Sequence, residues 1–145
     1  MRIAVAADER TGVAQTLVAE LERRGHETLR HGALRPGARA DWAWASEAAA
    51  RDVAGREADQ GVVCCWTGTG ASIAANKVPG VRAALCADAE TARAARRWND
   101  ANVLALSLRG TSEALLKEIL DGWFQGAPSD EHDDVANIRH VDEIA

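Results

Sequence analysis

The sequence contains no run of more than two consecutive Lys or Arg residues. Its 22 acidic residues outnumber its 17 basic ones, which gives a formal net charge of −5. Proteins that bind nucleic acids or other polyanions usually present a basic patch to their partner. The composition therefore disfavours nucleic acid as a partner.

Long hydrophobic runs are also absent. The chain begins with the apolar stretch MRIAVAA, but Asp8, Glu9 and Arg10 follow it at once. Seven residues are too few for a signal peptide or a membrane-spanning helix. We therefore expect a cytoplasmic protein that has no membrane partner.

Cysteine is scarce, and its number is odd. Cys64 and Cys65 are adjacent, and Cys86 lies in a second apolar run. This arrangement is not a secreted disulfide framework. Adjacent residues of a strand point to opposite faces, so we expect Cys64 to be a small buried hydrophobe and Cys65 to be the candidate working thiol. Cys86 is expected to be structural.

The residues that are present describe an ordinary globular chain. The 145 residues are 47% hydrophobic and 27% charged, and 31 of them are alanine, a strong helix former. This length predicts a single domain over residues 1–145, with residues 126–145 as a C-terminal tail that includes a weak helix.

Short apolar runs alternate with amphipathic ones, which predicts an α/β fold with a parallel sheet covered by helices. The predicted strands are residues 3–7, 27–30, 62–66, 82–86 and 103–107. The predicted helices are residues 12–24, 42–57, 71–76, 89–98 and 111–123, with a weaker one at 135–144 and a loop at 127–134. Thr111 or Ser112 is expected to be an N-cap.

Ligands of such folds bind at the carboxyl ends of the strands. This rule selects Asp8, Glu9, residues 65–70, residues 98–102 and Arg109. Gly68 and Gly70 allow a sharp turn whose N–H groups point at an anion above a helix N-terminus. The segment matches neither the P-loop nor the dinucleotide motif. From the glycines alone, a tight βα turn is as good an interpretation as a binding loop.

A thiol at the edge of this loop favours the binding interpretation. The stretches CWTGTGASIAANKVPGVRAALC, residues 65–86, and RRWNDANVLALSLR, residues 96–109, resemble the ribose-5-phosphate isomerase B and galactose-6-phosphate isomerase family. The resemblance extends from residue 1 to about residue 123. It implies a Rossmann-like three-layer α/β/α sandwich with a five-stranded parallel sheet. It also implies a homodimer, or a tetramer formed by two such dimers, whose active site lies between subunits and interconverts an aldose phosphate and its ketose through a cis-enediolate. No cofactor and no metal is implied.

The resemblance also assigns roles to residues. Cys65 matches the base that moves a proton between C1 and C2, and Thr67 matches the hydroxyl that moves protons between the two oxygens. The enediolate would bind the backbone of Gly68, Thr69, Gly70, Ala71 and Ser72. The other residues matched to substrate binding are Asp8, Glu9, Trp98, Asn99, Arg109, Arg139 and His140. Without the resemblance, Asp8 is a turn residue, Asn99 a helix-end cap and Arg109 a solvated surface charge.

The chain departs from the family pattern in three ways. Glu9 and Trp98 stand where the family usually has histidines, and Arg139 with His140 replaces two phosphate-binding arginines. The histidine matched by Trp98 is the one thought to open the sugar ring, whereas an indole N–H can only donate. The leading expectation is therefore a ribose 5-phosphate/ribulose 5-phosphate isomerase. The alternatives are an isomerase of a different, spontaneously opening or non-phosphorylated sugar, and a non-catalytic ligand-binding homologue.

The remaining aromatic residues have simpler interpretations. Trp42, Trp44, Trp66 and Trp98 are expected in the core or at an interface. Trp66 lies inside the glycine loop, residues 65–70, where it is expected to narrow the substrate pocket. The four histidines are expected at the surface, with His132 or His140 as a replacement acid in the alternative interpretation.

Overall fold

The computed structural model describes residues 1–144, which form one five-stranded sheet flanked by helices. All strand pairs are parallel, and the strand order is β2-β1-β3-β5-β4. The strands are β1 (Arg2–Ala7), β2 (Glu27–Gly32), β3 (Gln60–Cys65), β4 (Ala83–Leu85) and β5 (Val103–Ser107). The central strands β1, β3 and β5 are almost entirely buried, as the continuous apolar runs predict.

Two separate apolar cores lie on the two faces of the sheet. The helices are α1 (Ala14–Arg23), α2 (Trp42–Ala54), α3 (Thr69–Asn76), α4 (Ala89–Asn99), α5 (Glu113–Gln125) and α6 (His132–Glu143). One core joins α1, α4 and α5 to the sheet, and the other joins α2 and α3 to the opposite face. The predicted Rossmann-like three-layer α/β/α sandwich is therefore confirmed.

The element boundaries differ from the predicted ones at a few ends. Ser112, rather than Thr111, is the N-cap of α5, because its hydroxyl accepts the Leu115 N–H at 3.1 Å. Trp66 lies outside β3, and its carbonyl accepts hydrogen bonds from the Arg109 N–H and from the Ser107 hydroxyl at the end of β5. The predicted loop at 127–134 ends early, because α6 already begins at His132.

Helix α6 lies on the surface, and none of its residues is buried. It packs against α4, and an ion pair from Arg82 Nη1 to Asp142 Oδ1, 2.7 Å long, links it to the start of β4. Among the described residues, no helix combines the length and apolar character needed to cross a membrane.

Candidate active site

The candidate site begins where β3 ends, at Cys65. This residue is buried, with 5% of its surface exposed, on the face of the sheet that α2 and α3 cover. Its sulfur accepts the backbone N–H of Ala71 at 3.4 Å, in the first turn of α3. Unpaired N–H groups at a helix N-terminus favour negative charge. The Cys65 sulfur therefore lies where an N–H group of the helix start points at it.

The other two thiols lie in different environments. Cys64 points into the opposite core, as the strand alternation predicts, and complete burial raises the pKa of its thiol strongly. Burial, together with the nearby Asp88 carboxylate, raises the pKa of Cys86 to about 11. Both side chains are therefore neutral packing groups at pH 7, and Cys65 is the thiol at the site.

The glycine loop turns through Gly68, which has a left-handed backbone with φ of +78°. A Cβ atom at this position would lie 2.8 Å from the Leu106 carbonyl carbon and 2.6 Å from Leu85 Cδ1. Glycine is required here for both conformation and space. Thr67 and Thr69 flank the turn on the surface, and their hydroxyls are joined by a hydrogen bond of 2.8 Å.

A second loop, after β5, supports the first one. Leu108 N–H donates to the Cys65 carbonyl at 2.9 Å, and Arg109 N–H donates to the Trp66 carbonyl at 3.0 Å. The Ser107 hydroxyl also donates to the Trp66 carbonyl, at 2.9 Å. These bonds bring the exposed Arg109 to the same edge of the sheet as Cys65. Ser107, which the sequence reasoning missed, links the two loops.

Asp8 lies at the end of β1, beside this loop. Ala7 is paired with Cys64, so one residue further Asp8 stands level with Cys65. The Oδ1 atom of Asp8 is buried and has no hydrogen-bond partner in the described part of the chain. Burial, and secondarily the neighbouring Glu9 carboxylate, raises the pKa of Asp8. Asp8 thus offers an unused acceptor at the edge where Cys65 lies.

Trp98 and Asn99 do not join this group within one chain, and the expectation that residues 98–102 lie at the carboxyl edge is wrong. Helix α4 runs antiparallel to the strands, so its last residues lie at the amino edge. Asn102 confirms this position, because its carbonyl accepts from Gly61 at the start of β3. Trp98 and Asn99 instead line a cavity of about 250 Å³ between the start of β4 and α6.

Arg139 and His140 also lie away from Cys65 in the same chain. Both are exposed on α6, and His140 lies 3.7 Å from the Glu143 carboxylate. The expectation that all histidines are at the surface is wrong for two of them. His26 is half-buried and stacks on Phe124 at 4.6 Å, and His31 lies 2.6 Å from Asp52. Their partners on α2 and α5 explain the burial.

The four tryptophans near the predicted site are not core residues, so the core interpretation is excluded and the interface interpretation is left. Trp42, Trp44, Trp66 and Trp98 are between 46% and 54% exposed, and the buried indole is that of Trp123. Trp42, the first residue of α2, packs its ring against Gly70 of the glycine loop. This contact was not predicted from the sequence, although α2 follows β2 and so begins at the carboxyl edge.

No group of three or more His, Cys, Asp or Glu side chains within residues 1–144 is arranged to hold a metal ion. The groups that lie at the carboxyl edge include a thiol, hydroxyls, backbone N–H groups, carboxylates and the Arg109 guanidinium. This set can remove a proton from carbon and hold the resulting oxyanion.

Comparison with known proteins agrees with this chemistry. The family model described as Ribose/Galactose Isomerase matches residues 3–144. Ribose-5-phosphate isomerase B of Escherichia coli strain K12 is 41% identical over 107 residues, which cover 74% of this chain and 71% of that protein. D-erythrulose-4-phosphate isomerase of Pectobacterium atrosepticum is 45% identical over 74 residues, or 48% of this chain and 49% of that protein. The solved structure of Clostridium thermocellum ribose-5-phosphate isomerase B superimposes with a TM-score of 0.89 at 35% identity, covering 99% of this chain and 97% of that one.

Proposed function

The chain belongs to the Ribose/Galactose Isomerase family, and from this premise we propose that it interconverts ribose 5-phosphate and ribulose 5-phosphate. One observation supports the proposal above the others. The Cys65 sulfur lies at the N-terminus of α3 and accepts the Ala71 N–H at 3.4 Å, and Cys65 is level in the sheet with Asp8, whose buried Oδ1 has no hydrogen-bond partner in the described chain. We further propose that the protein acts in the cytoplasm.

In the proposed reaction, the Cys65 thiolate removes the proton from C2 of the open-chain aldose. The C–H electron pair forms the C1–C2 double bond, and the carbonyl pair moves to O1. The N–H groups of Gly68, Thr69 and Gly70 stabilise this enediolate. The expected contribution of the Ala71 and Ser72 N–H groups is not retained, because they already donate to the Cys65 sulfur and to the Gly68 carbonyl. Thr67 moves a proton from O2 to O1, and Cys65 then returns its proton to C1, which leaves the ketone at C2. Asp8 and Glu9 bind substrate hydroxyls, while Arg109 binds the phosphate.

The site needs a second copy of the chain to bring Asn99 to the enediolate and Arg139 and His140 to the phosphate. Their distance from Cys65 within one chain supports this homodimer. Exposed apolar side chains around β4 and α6 give it a surface to bury: Trp98 is 54% exposed, Ile73 60% and Val141 49%. A dimer would remove this apolar surface from water.

The proton-transfer step can be tested in D₂O. Wild-type protein should incorporate deuterium at C2 of ribose 5-phosphate, and Cys65→Ala should slow this exchange by about 10²- to 10⁴-fold, the usual contribution of a general base. Cys64→Ala and Cys86→Ala are the matched controls and should keep the exchange. Unchanged exchange in Cys65→Ala would contradict the proposal, and no exchange in the wild type would favour a binding-only protein.

The shared site can be tested by mixing two inactive variants. Cys65→Ala and Asn99→Ala should each be inactive alone. After unfolding and refolding together, mixed dimers contain one site with both native residues, so about a quarter of the wild-type activity should return. If activity does not return although mixed dimers form, the two residues do not belong to one shared site.

A second candidate substrate is a sugar phosphate that has no closed ring. Trp98 favours it, because an indole N–H donates but does not accept a proton. A tetrose 4-phosphate cannot form a furanose, since its O4 bears the phosphate, and one relative is named D-erythrulose-4-phosphate isomerase. A preference of at least tenfold in kcat/KM for erythrose 4-phosphate would establish this candidate. Trp98→His should then raise kcat/KM for ribose 5-phosphate alone, whereas Trp98→Phe should not.

A further inference from the structure

The second glycine of the loop is adjacent to a tryptophan from another helix. A Cβ atom at Gly70 would lie 2.9 Å from Cε3 and 3.1 Å from Cδ2 of Trp42. Gly70 does not have a positive φ, so its backbone conformation does not demand glycine. Glycine is favoured at this position because the Trp42 ring occupies the space that a Cβ atom would need. The benzene half of the indole therefore packs directly on the backbone at the start of α3.

This contact lies on the turn that also holds the Cys65 sulfur. Ala71, the residue after Gly70, donates its N–H to Cys65 Sγ at 3.4 Å. On its other side the loop contacts the Leu106 backbone through Gly68. The loop therefore contacts the Leu106 backbone and the Leu85 side chain at Gly68, and the Trp42 ring at Gly70. A half-exposed side chain is easier to displace than a buried strand.

We propose that Trp42 is a positioning residue, whose indole holds the first turn of α3 so that the Ala71 N–H points at the Cys65 sulfur. Its catalytic consequence rests on the proposed function, in which this turn also holds the enediolate. Trp42 does not touch the reacting atoms. It acts by keeping the backbone N–H groups at their distance from the sulfur.

Kinetic measurements test the catalytic part. Trp42→Ala should lower kcat by about ten- to a hundredfold, the effect expected for a displacement of about 1 Å, and should change KM much less. Trp42→Phe keeps a ring over Gly70 and should retain activity within threefold. Trp44→Ala is the control on the same helix, because Trp44 packs against Arg39 at 3.5 Å and should leave kcat unchanged.

A readout independent of activity is the hydrogen exchange of the Ala71 amide. Trp42→Ala should speed this exchange at least tenfold, whereas Trp44→Ala should not alter it. A double-mutant cycle gives a second readout in melting temperature. Gly70→Ala should be costly in the wild type, where the new methyl group meets the ring, and nearly neutral in Trp42→Ala.

The two proposals fail in different ways. If the wild type exchanges no C2 proton in any sugar phosphate, the proposed function fails, while Ala71 exchange and the cycle still report on Trp42. The positioning role is overturned if Ala71 exchange is equal in wild type and Trp42→Ala, or if the two substitutions are additive. An equal loss of kcat in Trp42→Phe and Trp42→Ala would also overturn it.

Discussion

Replacement of Gly68 by alanine should damage both stability and the site, because two separate costs meet at this residue. Its φ of +78° is unfavourable for any residue with a side chain, at about 1–2 kcal/mol. The new Cβ would also lie 2.8 Å and 2.9 Å from the Leu106 carbonyl carbon and oxygen. Displacing buried backbone to relieve such overpacking costs about 1–3 kcal/mol.

The two costs together predict a loss of about 2–5 kcal/mol in the free energy of unfolding. At roughly 3 °C per kcal/mol for a chain of this size, the melting temperature should fall by about 6–15 °C. Gly80 is the matched control, because its φ is +85° but a Cβ there would have no neighbour within 4 Å. Gly80→Ala should lower the free energy of unfolding only by the cost of its positive φ, about 1–2 kcal/mol.

The assay compares thermal unfolding of the two variants by circular dichroism, followed by C2 exchange at a temperature where both are folded. Gly68→Ala should unfold well below Gly80→Ala, and its exchange should fall about a hundredfold because the N–H groups of the loop move. Melting temperatures within about 2 °C of each other would show that the close contact with Leu106 does not constrain the loop. The predicted dependence of the Gly68 turn on this contact would then be refuted.

Two further predictions concern charged groups. Burial raises the pKa of Asp8 in the folded protein. Ionisation of Asp8 therefore destabilises the fold as pH rises above the pKa that this carboxyl has in the unfolded chain. Asp8→Asn should raise the melting temperature at pH 7 but not near pH 3, and it should lower activity. The Arg23 and Arg24 guanidinium groups hold the pKa of Glu20 down at about 2, so its stabilising effect is present at neutral pH and lost as pH falls from about 5 to 2. Glu20→Gln should therefore cost about 1–2 kcal/mol at pH 7, a value reduced by the 67% exposure of Arg23. Urea unfolding at pH 2 should show that most of this difference between the variant and the wild type is lost.

The strands and most helices were predictable because their signals are local. Continuous apolar runs marked β1, β3 and β5, and all three strands are buried. The alternation of side chains along a strand also separated Cys64 from Cys65 correctly. Helix ends were less predictable, because capping depends on which hydroxyl reaches an N–H group, as Ser112 does at α5.

The site was predictable only where its residues follow the ends of neighbouring strands. Asp8, Cys65 and Arg109 meet because β1, β3 and β5 are adjacent and parallel. Trp98 was assigned to the wrong edge, because a residue just before a strand lies at that strand's start. Trp42 and Ser107 were missed, since both act through contacts with residues distant in sequence.

The sequence by itself determined the alternation of strands and helices, the glycine turn after β3 and the thiol that begins it. These features depend on residue size, periodicity and backbone freedom, which are properties of short segments. Tertiary structure alone decided that Asp8 has a buried, unpartnered oxygen and that Trp42 packs on Gly70. It also decided that Trp98 and Asn99 lie at the amino edge of the sheet, opposite to the carboxyl edge where Cys65 lies. Strand order and helix direction place distant segments side by side, and no local pattern encodes which side chains then meet.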